Sequence, residues 1–538
     1  MNCQKHNIWI AAVALSLFAS AANAATYMMS FKESKAAQEF KALIQNQKSL
    51  NIHLEEELPE VKILIVDATS HNQLSNLVKA QDINFIEKQT TFAAPRVQIV
   101  PTPSSGFVRM TAMNALLPVS QGLKMIQAPQ VWPMTRGAGA RVMIIDSGID
   151  QKHPAFAGRI EKVKNFTDDA NGDVLDVTDY DGHGTHVAGI VAARASVEAV
   201  GVAPEAKILV AKVCGKKGCK TDSVARALNW ALNEKVDVVN MSLGGGGSVT
   251  ESFMIKQLDG AQMPVVAAMG NHGQEVTPMP AGYPGVTGVG AVDFTGQRAA
   301  FSNWSHALDV MAPGVGIRSA VPLGMGRNAF AGFESAGGTF KNLPSVTFIG
   351  VPTTSLHESA VYAEFGSIDE LAKVNATGKI LVVKRGNLPL LEKIKNAKSA
   401  GAAALIICNN ESALASGSLT EDPNDIQVPV IMVEKTAGED LITQLANNPD
   451  LTVQFEVQAA DYAEFSGTSM ASPYVAGVVA LMRSVVPGIT SWKIRQIMEG
   501  TATPIKTEIP NQTGKGLINA KASVDGAYAV RNKYRKPK

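Results

Sequence analysis

Three short stretches of this chain carry side chains from which an acyl-transfer site can be assembled. Asp146 closes the apolar run RVMIID before a glycine region, His183 stands in DGHGTHVAGI, and Ser469 stands in SGTSMASPYVAGVVAL. A serine hydroxyl attacks a carbonyl only when a base removes its proton. An imidazole of near-neutral pKa can take that proton and return it to a leaving amine. A carboxylate on the ring would fix its tautomer and stabilise the imidazolium. Ser469 also heads an apolar helical run, so the free backbone N–H groups of that helix start can face a developing oxyanion. Taken singly, each residue has a plainer use: Asp146 can cap a strand end, His183 can be structural, and Ser469 can simply begin a helix.

Residues so far apart in sequence need a regular scaffold to meet. From residue 141 the chain alternates short apolar strands (RVMIID, AKILVAKV, VDVVNMSL, MPVVAAMG) with helices (GTHVAGIVAARA, TDSVARALNWALNE). Near-continuous Val/Ile/Leu/Ala strands, each followed by a helix, describe an α/β protein whose parallel sheet is covered on both faces. Polar residues sit at the strand ends, where open α/β sheets place their ligands.

The order Asp, His, Ser in these surroundings resembles the subtilisin-like serine peptidases, or subtilases, over most of residues 125–325 and 460–522. The resemblance implies a three-layer catalytic domain on a seven-stranded parallel sheet, with Asp146 orienting, His183 as general base and Ser469 as nucleophile. It also implies that Asn271, in VVAAMGNHG, is the side-chain donor of an oxyanion hole completed at Ser469; Met269 varies the commoner Ala-Ala-Gly-Asn run there. SLGGGG at 242–247 reads by itself as a flexible loop. The similar family segment walls the substrate cleft, which implies Ser242, Leu243, Gly244 and Gly245 as backbone that pairs with an extended peptide. The implied function is a secreted serine endopeptidase that hydrolyses extended polypeptides through an acyl-enzyme and is autoprocessed from a zymogen. A catalytically inactive peptide-binding or adhesion protein on the same scaffold is the alternative of another class.

The flanks divide further. Residues 1–24 read as an export signal: Lys5, an apolar run from Ile8 to Ala22, and a small-x-small Ala22-Asn23-Ala24 end too soon to span a bilayer. That places the chain in a secreted or periplasmic setting. Residues 25–92 alternate strand and helix patterns (TYMMSF, SKAAQEFKALIQ, VKILIVDA, SHNQLSNLVKA, INFIEK) and resemble the inhibitory propeptide of the family. A proline-containing joint at 93–122 is a linker or mature N-terminal segment, and 123–322 is the first catalytic part. Residues 323–458 (GKILVVKRG, KIKNAKSAGAAALIICNN, VPVIMVEKTAGEDLI) resemble a protease-associated domain, with Asn387 at a position that is often Cys. The second catalytic part is 459–525, followed by a basic tail, 526–538.

The 538 residues carry 49 Lys plus Arg against 48 Asp plus Glu, and a net charge of +1 argues against nucleic acid as a partner. No later stretch suits stable membrane insertion. The expected partners are polypeptide substrates and the chain's own propeptide. Once the leader with Cys3 is removed, Cys214 and Cys219 in VCGKKGCK favour a disulfide over a metal pair or free thiols, and Cys408 reads as a buried small hydrophobe. The chemistry needs no cofactor. The resemblance leaves a structural calcium possible; the acidic segment 166–181 offers oxygen ligands but reads first as a solvated charged loop, and no ligand set is assigned.

Overall fold

The computed structural model describes residues 24–95, 100–102, 120–195, 198–335, 337–410, 414–416, 426–507 and 509–534. The expected export signal, apart from Ala24, lies outside them.

The N-terminal unit is a four-stranded antiparallel sheet carrying two helices: β1 (Ala25–Phe31), α1 (Ser34–Asn46), β2 (His53–Leu58), β3 (Ile63–Ala68), α2 (His71–Ser75) and β4 (Ile83–Lys88), in the order β2-β3-β1-β4. Alternation along the strands gives the sheet two apolar faces. Tyr27, Met29, Phe31, Leu64, Val66 and Ala68 join Ala37, Phe40 and Ile44 of α1 in a core belonging to this unit. Met28, Leu58, Ile63 and Ile65 face the other way, into the core of the following domain. The buried stripe of α1 runs through Ala37, Phe40 and Ile44, and α2 is shorter than its sequence pattern, with Ser70 accepting from Gln73 N at 3.2 Å to cap it. Strand β2, HLEEEL, was not expected from its three glutamates. It forms by pairing along its length with β3, and Leu58 at its end is buried.

The joint supplies β5 (Thr91–Phe92) and β6 (Val100–Thr102). The catalytic-type domain begins with α3 (Gln121–Met125), then β7 (Arg141–Asp146), β8 (Ile160–Asn165), α4 (His183–Ala192), β9 (Lys207–Lys212), the hairpin β10 (Cys214–Gly215) and β11 (Gly218–Lys220), α5 (Thr221–Glu234), β12 (Val238–Met241), α6 (Val249–Gly260), β13 (Val265–Ala268), β14 (Val286–Val292), β15 (Leu308–Pro313) and β16 (Ile317–Ala320). Seven of these strands form one parallel sheet in the order β15-β14-β13-β12-β7-β9-β8. Alternate side chains again split: Val142 and Ile144 of β7 enter one core, Met143 and Ile145 the other. The C-terminal strand ends therefore stand between two packed layers of helices.

The insertion has a core of its own. It contains β17 (Gly326–Glu334), β18 (Phe340–Leu343), β19 (Ser345–Val346), β20 (Thr354–Tyr362), α7 (Ile368–Leu371), β21 (Ile380–Lys384), α8 (Leu390–Ser399), β22 (Ala404–Cys408), β23 (Leu414–Ser416), β24 (Val430–Val433), α9 (Lys435–Asn447) and β25 (Thr452–Ala460). Eight strands make a mixed sheet, β18-β17-β25-β20-β21-β22-β24-β19. The long strands β17 and β25 pair along their length and carry the chain out of and back into the first domain. Their entry and exit stand side by side, as an insertion requires.

The chain resumes with β26 (Tyr462–Phe465), paired with β16, then α10 (Thr468–Val485), α11 (Ser491–Thr501) and α12 (Ala520–Tyr534). Here one expectation is corrected: residues 526–534 are not a tail but the second half of α12. Val524 and Ala527 are buried against the first domain, so the apolar stripe outweighs the basic residues that follow.

Candidate active site

Asp146 ends β7 and His183 begins α4, which brings His183 Nδ1 to 2.7 Å from Asp146 Oδ1 with both side chains buried. The approach depends on two glycines. A Cβ on Gly184 would lie 2.2 Å from Gly148 O, and Gly148 itself adopts φ +124 with its missing Cβ 2.3 Å from Val177 O. Asp179 locks the same turn: its Oδ1 accepts from Ser147 Oγ (2.9 Å) and Gly182 N (3.0 Å), and its Oδ2 from Thr185 N (2.8 Å) and Thr185 Oγ1 (2.6 Å). Beneath it the buried Lys212 Nζ donates to Ser147 O at 2.8 Å. Asp179, Ser147, Thr185 and Lys212 were not singled out from sequence, although the first and third flank His183 in DYDGHGTH.

Burial opposes protonation of His183, but the charge and hydrogen bond of Asp146, with the further charges of Asp181 and Asp179, outweigh it and raise the imidazole above its ordinary 6.5. One turn on, His186 is also buried and lies 4.2 Å from the Phe465 ring in a stack, with Nε2 2.9 Å from Ile317 O; burial pushes it down to about 3. The two histidines thus differ through their partners. Only His183 has a carboxylate on its ring.

Ser469 lies in the first turn of α10. Its hydroxyl donates to Ser242 O at 3.0 Å, and among the described residues His183 Nε2 has no hydrogen-bond partner. The structure therefore brings Asp146 and His183 into contact and leaves the Ser469 hydroxyl turned to the end of β12. Pro473 lies inside α10 and cannot donate to Ser469 O four residues back. That carbonyl accepts instead from Ser242 Oγ at 2.8 Å; Ser242 Oγ accepts from Asn240 Nδ2 at 2.9 Å, and Ser472 Oγ donates to Asn240 Oδ1 at 2.6 Å. Asn240, Ser242 and Ser472 thereby fasten the first turn of α10 to β12.

Asn271 follows β13. Its Oδ1 accepts from Thr468 N (2.8 Å) and Thr468 Oγ1 (2.9 Å), while a Cβ on Gly467 would meet its Nδ2 at 3.2 Å. With the carbonyl side engaged, the amide's N–H groups are the part left to donate beside Ser469. Met269 is fully buried in the core, and its backbone N–H bonds Val289 O at 3.0 Å, so this departure from the commoner run alters packing beneath the loop.

The joint from the N-terminal unit lies along one wall of this region. Thr91 pairs with Lys220 and Phe92 with Cys219, antiparallel, while Thr221 N donates to Thr90 O at 3.0 Å. Phe92 packs over Gly245, where a Cβ would lie 3.0 Å from its ring, and Leu243, Val224, Thr221 and Glu251 line the adjoining pocket. Gly245 N is engaged by Met279 O at 2.9 Å, so of the four residues 242–245 it offers an open surface rather than a free donor. Upstream, Glu87 sits on the start of α6: Oε1 accepts from Val249 N at 2.9 Å and Oε2 from Thr250 N at 2.8 Å.

A disulfide joins Cys214 and Cys219 across the β10–β11 hairpin, whose Cα atoms are 4.1 Å apart, and Cys408 is free and buried. The acidic segment does not gather a ligand set. Asp168 pairs with Lys220 and Asp169 with Lys212, while Asp176 accepts from Thr178. Among the described residues no group of three or more His, Cys, Asp or Glu could hold a metal ion, and no helix is long and apolar enough to cross a membrane.

Comparison with known proteins agrees with this architecture. The Subtilase family pattern matches residues 137–348 and the PA domain pattern residues 346–441. The chain is 42% identical over 214 residues to an intracellular serine protease of Paenibacillus polymyxa, covering 38% of this chain and 66% of that protein. It is 32% identical over 313 residues to the M-protease of Shouchella clausii (strain KSM-K16), covering 57% of this chain and 77% of that one. Among solved structures, the psychrophilic subtilisin-like protease Apa1 from the Antarctic psychrotroph Pseudoalteromonas sp. AS-11 superposes with a TM-score of 0.54 at 29% identity, over 78% of this chain and 99% of that chain. A seven-stranded parallel sheet with Asp146 at a strand end and His183 at the start of a helix, taken with these matches, marks a subtilisin-like protein. The chain belongs to the subtilase family and carries a PA domain.

Proposed function

We propose that the chain is an exported serine endopeptidase, made as a zymogen, that cuts extended polypeptides through an acyl-enzyme on Ser469. The observation that carries this reading is the buried Asp146–His183 pair, which holds His183 above its ordinary pKa, together with Asn271 bonded to the first turn of the helix that bears Ser469; two strand ends and two helix starts of one domain supply these four residues. In the reaction the Ser469 hydroxyl turns from Ser242 O toward His183 Nε2, gives up its proton and bonds the substrate carbonyl carbon. Asn271 and the first-turn N–H groups of α10 receive the negative charge. His183 then passes the proton to the departing amine, and water repeats the sequence to free the acid.

The N-terminal unit reads as the temporary inhibitor. Its strand β5 occupies the cleft wall where a substrate strand would pair, and Glu87 satisfies the N-terminal donors of α6. Export is supported by the signal-like residues 1–24, although one of the relatives named above is intracellular. The experiment is labelling of the matured protein with a fluorophosphonate. An adduct at Ser469 with hydrolysis of denatured protein is expected, and both should vanish in Ser469→Ala. Equal hydrolysis by matched wild-type and alanine preparations would reject the assignment.

A further inference from the structure

The joint that leaves the N-terminal unit is held twice. Its first hold is in the cleft, where Thr91 and Phe92 pair with β11. Its second is on the insertion. There β6 pairs antiparallel with β23: Val100 lies opposite Ser416, Pro101 opposite Ala415 and Thr102 opposite Leu414. Hydrogen-bonded and open pairs alternate in such a ladder, and Pro101 has no N–H to give. Pro101 therefore takes the open position, and the bonds fall at Val100 and Thr102. Strand β23 lies beside β19 and β24, at the edge of the insertion's sheet. Five residue steps separate Pro95 from Val100, at most about 18 Å of extended chain, so this edge stands within that reach of the cleft.

We infer that β23 is a strand-addition site for this chain's own maturation joint, and that the bond cut in maturation lies after Phe92 and before Val100. The inference rests on the reading of the chain as a self-processing peptidase and adds a role for the insertion in that step. Anchors on both sides of the bond reduce the freedom lost on presenting one carbonyl to Ser469. Ser469 Oγ bonds that carbonyl carbon and its proton passes through His183 to the departing amine nitrogen. Water then adds to the acyl carbon, the C–Oγ bond breaks, and Ser469 recovers its proton. The acyl side leaves with the N-terminal unit. The amine side stays paired on β23, away from the nucleophile, and this opposes rejoining. Because the recognition is through backbone, the site fits an extended segment of varied sequence that can carry proline at its centre.

The test uses the full precursor, residues 25–538, dilute enough that cleavage is intramolecular. Ser416→Pro and Thr102→Pro each remove one N–H from the ladder, and first cleavage should slow by roughly threefold to tenfold in both. Wild type should acquire an N-terminus between Ala93 and Val100. Turnover of a small peptide ester by the matured enzymes should not change. Should Ser416→Pro lose ester turnover through misfolding, Thr102→Pro, which leaves the insertion's sequence intact, decides the matter. Wild-type cleavage rates with intact ester turnover, or a first N-terminus outside Ala93 to Val100, would overturn the inference while self-processing stands. Maturation of Ser469→Ala at the wild-type rate would instead overturn the reading beneath it.

Discussion

Removing Glu87 should weaken the grip of the N-terminal unit more than removing any comparable surface charge. Its carboxylate accepts the N–H groups of Val249 and Thr250 at 2.9 and 2.8 Å, donors that the first turn of α6 cannot satisfy within the helix. Hydrogen bonds to a charged group contribute about 1.5–3 kcal/mol net, and a negative charge at a helix N-terminus about 0.3–1 kcal/mol. In the detached enzyme water takes over these donors, so the loss for Glu87→Ala should be about 2–4 kcal/mol, or roughly 30- to 1000-fold in inhibition constant. The Phe85–Phe253 contact, with ring centroids 5.8 Å apart, and the Glu56–Arg226 ion pair at 3.0 Å remain in place. The assay is titration of matured enzyme with separately produced residues 25–92, wild type and variant. Any free energy needed to fold the free fragment is common to both and cancels in the ratio. Glu87→Gln keeps an acceptor without the charge and should fall between. Inhibition by Glu87→Ala within threefold of wild type would refute the assignment of docking to the start of α6.

Three further outcomes follow from the same geometry. Asp146→Asn should lower turnover by about 10⁴-fold and move the acid limb of the kcat/KM profile downward, because burial then acts on His183 without its opposing charge; an unmoved limb would show that another group titrates. Ser242→Ala should leave Ser469 O buried without a donor, since Pro473 cannot supply one, and should cost about 1–3 kcal/mol in urea unfolding measured in a Ser469→Ala background; a change under 0.5 kcal/mol would refute the role of that hydroxyl. Burial, with the charge of Glu87 added and the Tyr283 hydroxyl opposing, pushes Glu251 up to about 7 in the joined chain. A carboxyl whose pKa is raised in the complex favours it fully below the ordinary 4.5 and loses that contribution as pH rises through about 7, so inhibition by the N-terminal unit should weaken over that interval and Glu251→Gln should flatten the dependence.

Much of the first domain could be read from the chain because its parallel strands are buried on both faces and so appear as unbroken apolar runs, with the reactive residues just beyond them. RVMIID and VDVVNM show this directly. The borders of the insertion were harder. In GRNAFAGFE and TSLHESAVY neither period dominates, because β17 and β20 are only partly buried and owe their pairing to β25, more than ninety residues later. Strand β2 and the second half of α12 likewise depend on partners distant in sequence. The bond from Ser242 Oγ to Ser469 O could not be read from either segment: it answers the donor missing at Pro473, four residues along, from the end of a strand more than two hundred residues away.

The two-faced sheet of the N-terminal unit also sets how long that unit can survive alone. Met28, Leu58, Val61, Ile63 and Ile65 are buried only while the first domain covers them. At about 1.5–3 kcal/mol for each large apolar side chain, separation exposes on the order of 10 kcal/mol of hydrophobic stabilisation, comparable with the whole stability of an ordinary domain. A fragment of this size has no reserve to absorb that. On the maturation proposed above, release therefore shifts the unit toward the unfolded chain, the form in which a peptidase cuts most readily. Rebinding must then refold the unit on the first domain, so under the maturation proposed above the delay before activity appears is set by how long one sheet stays covered.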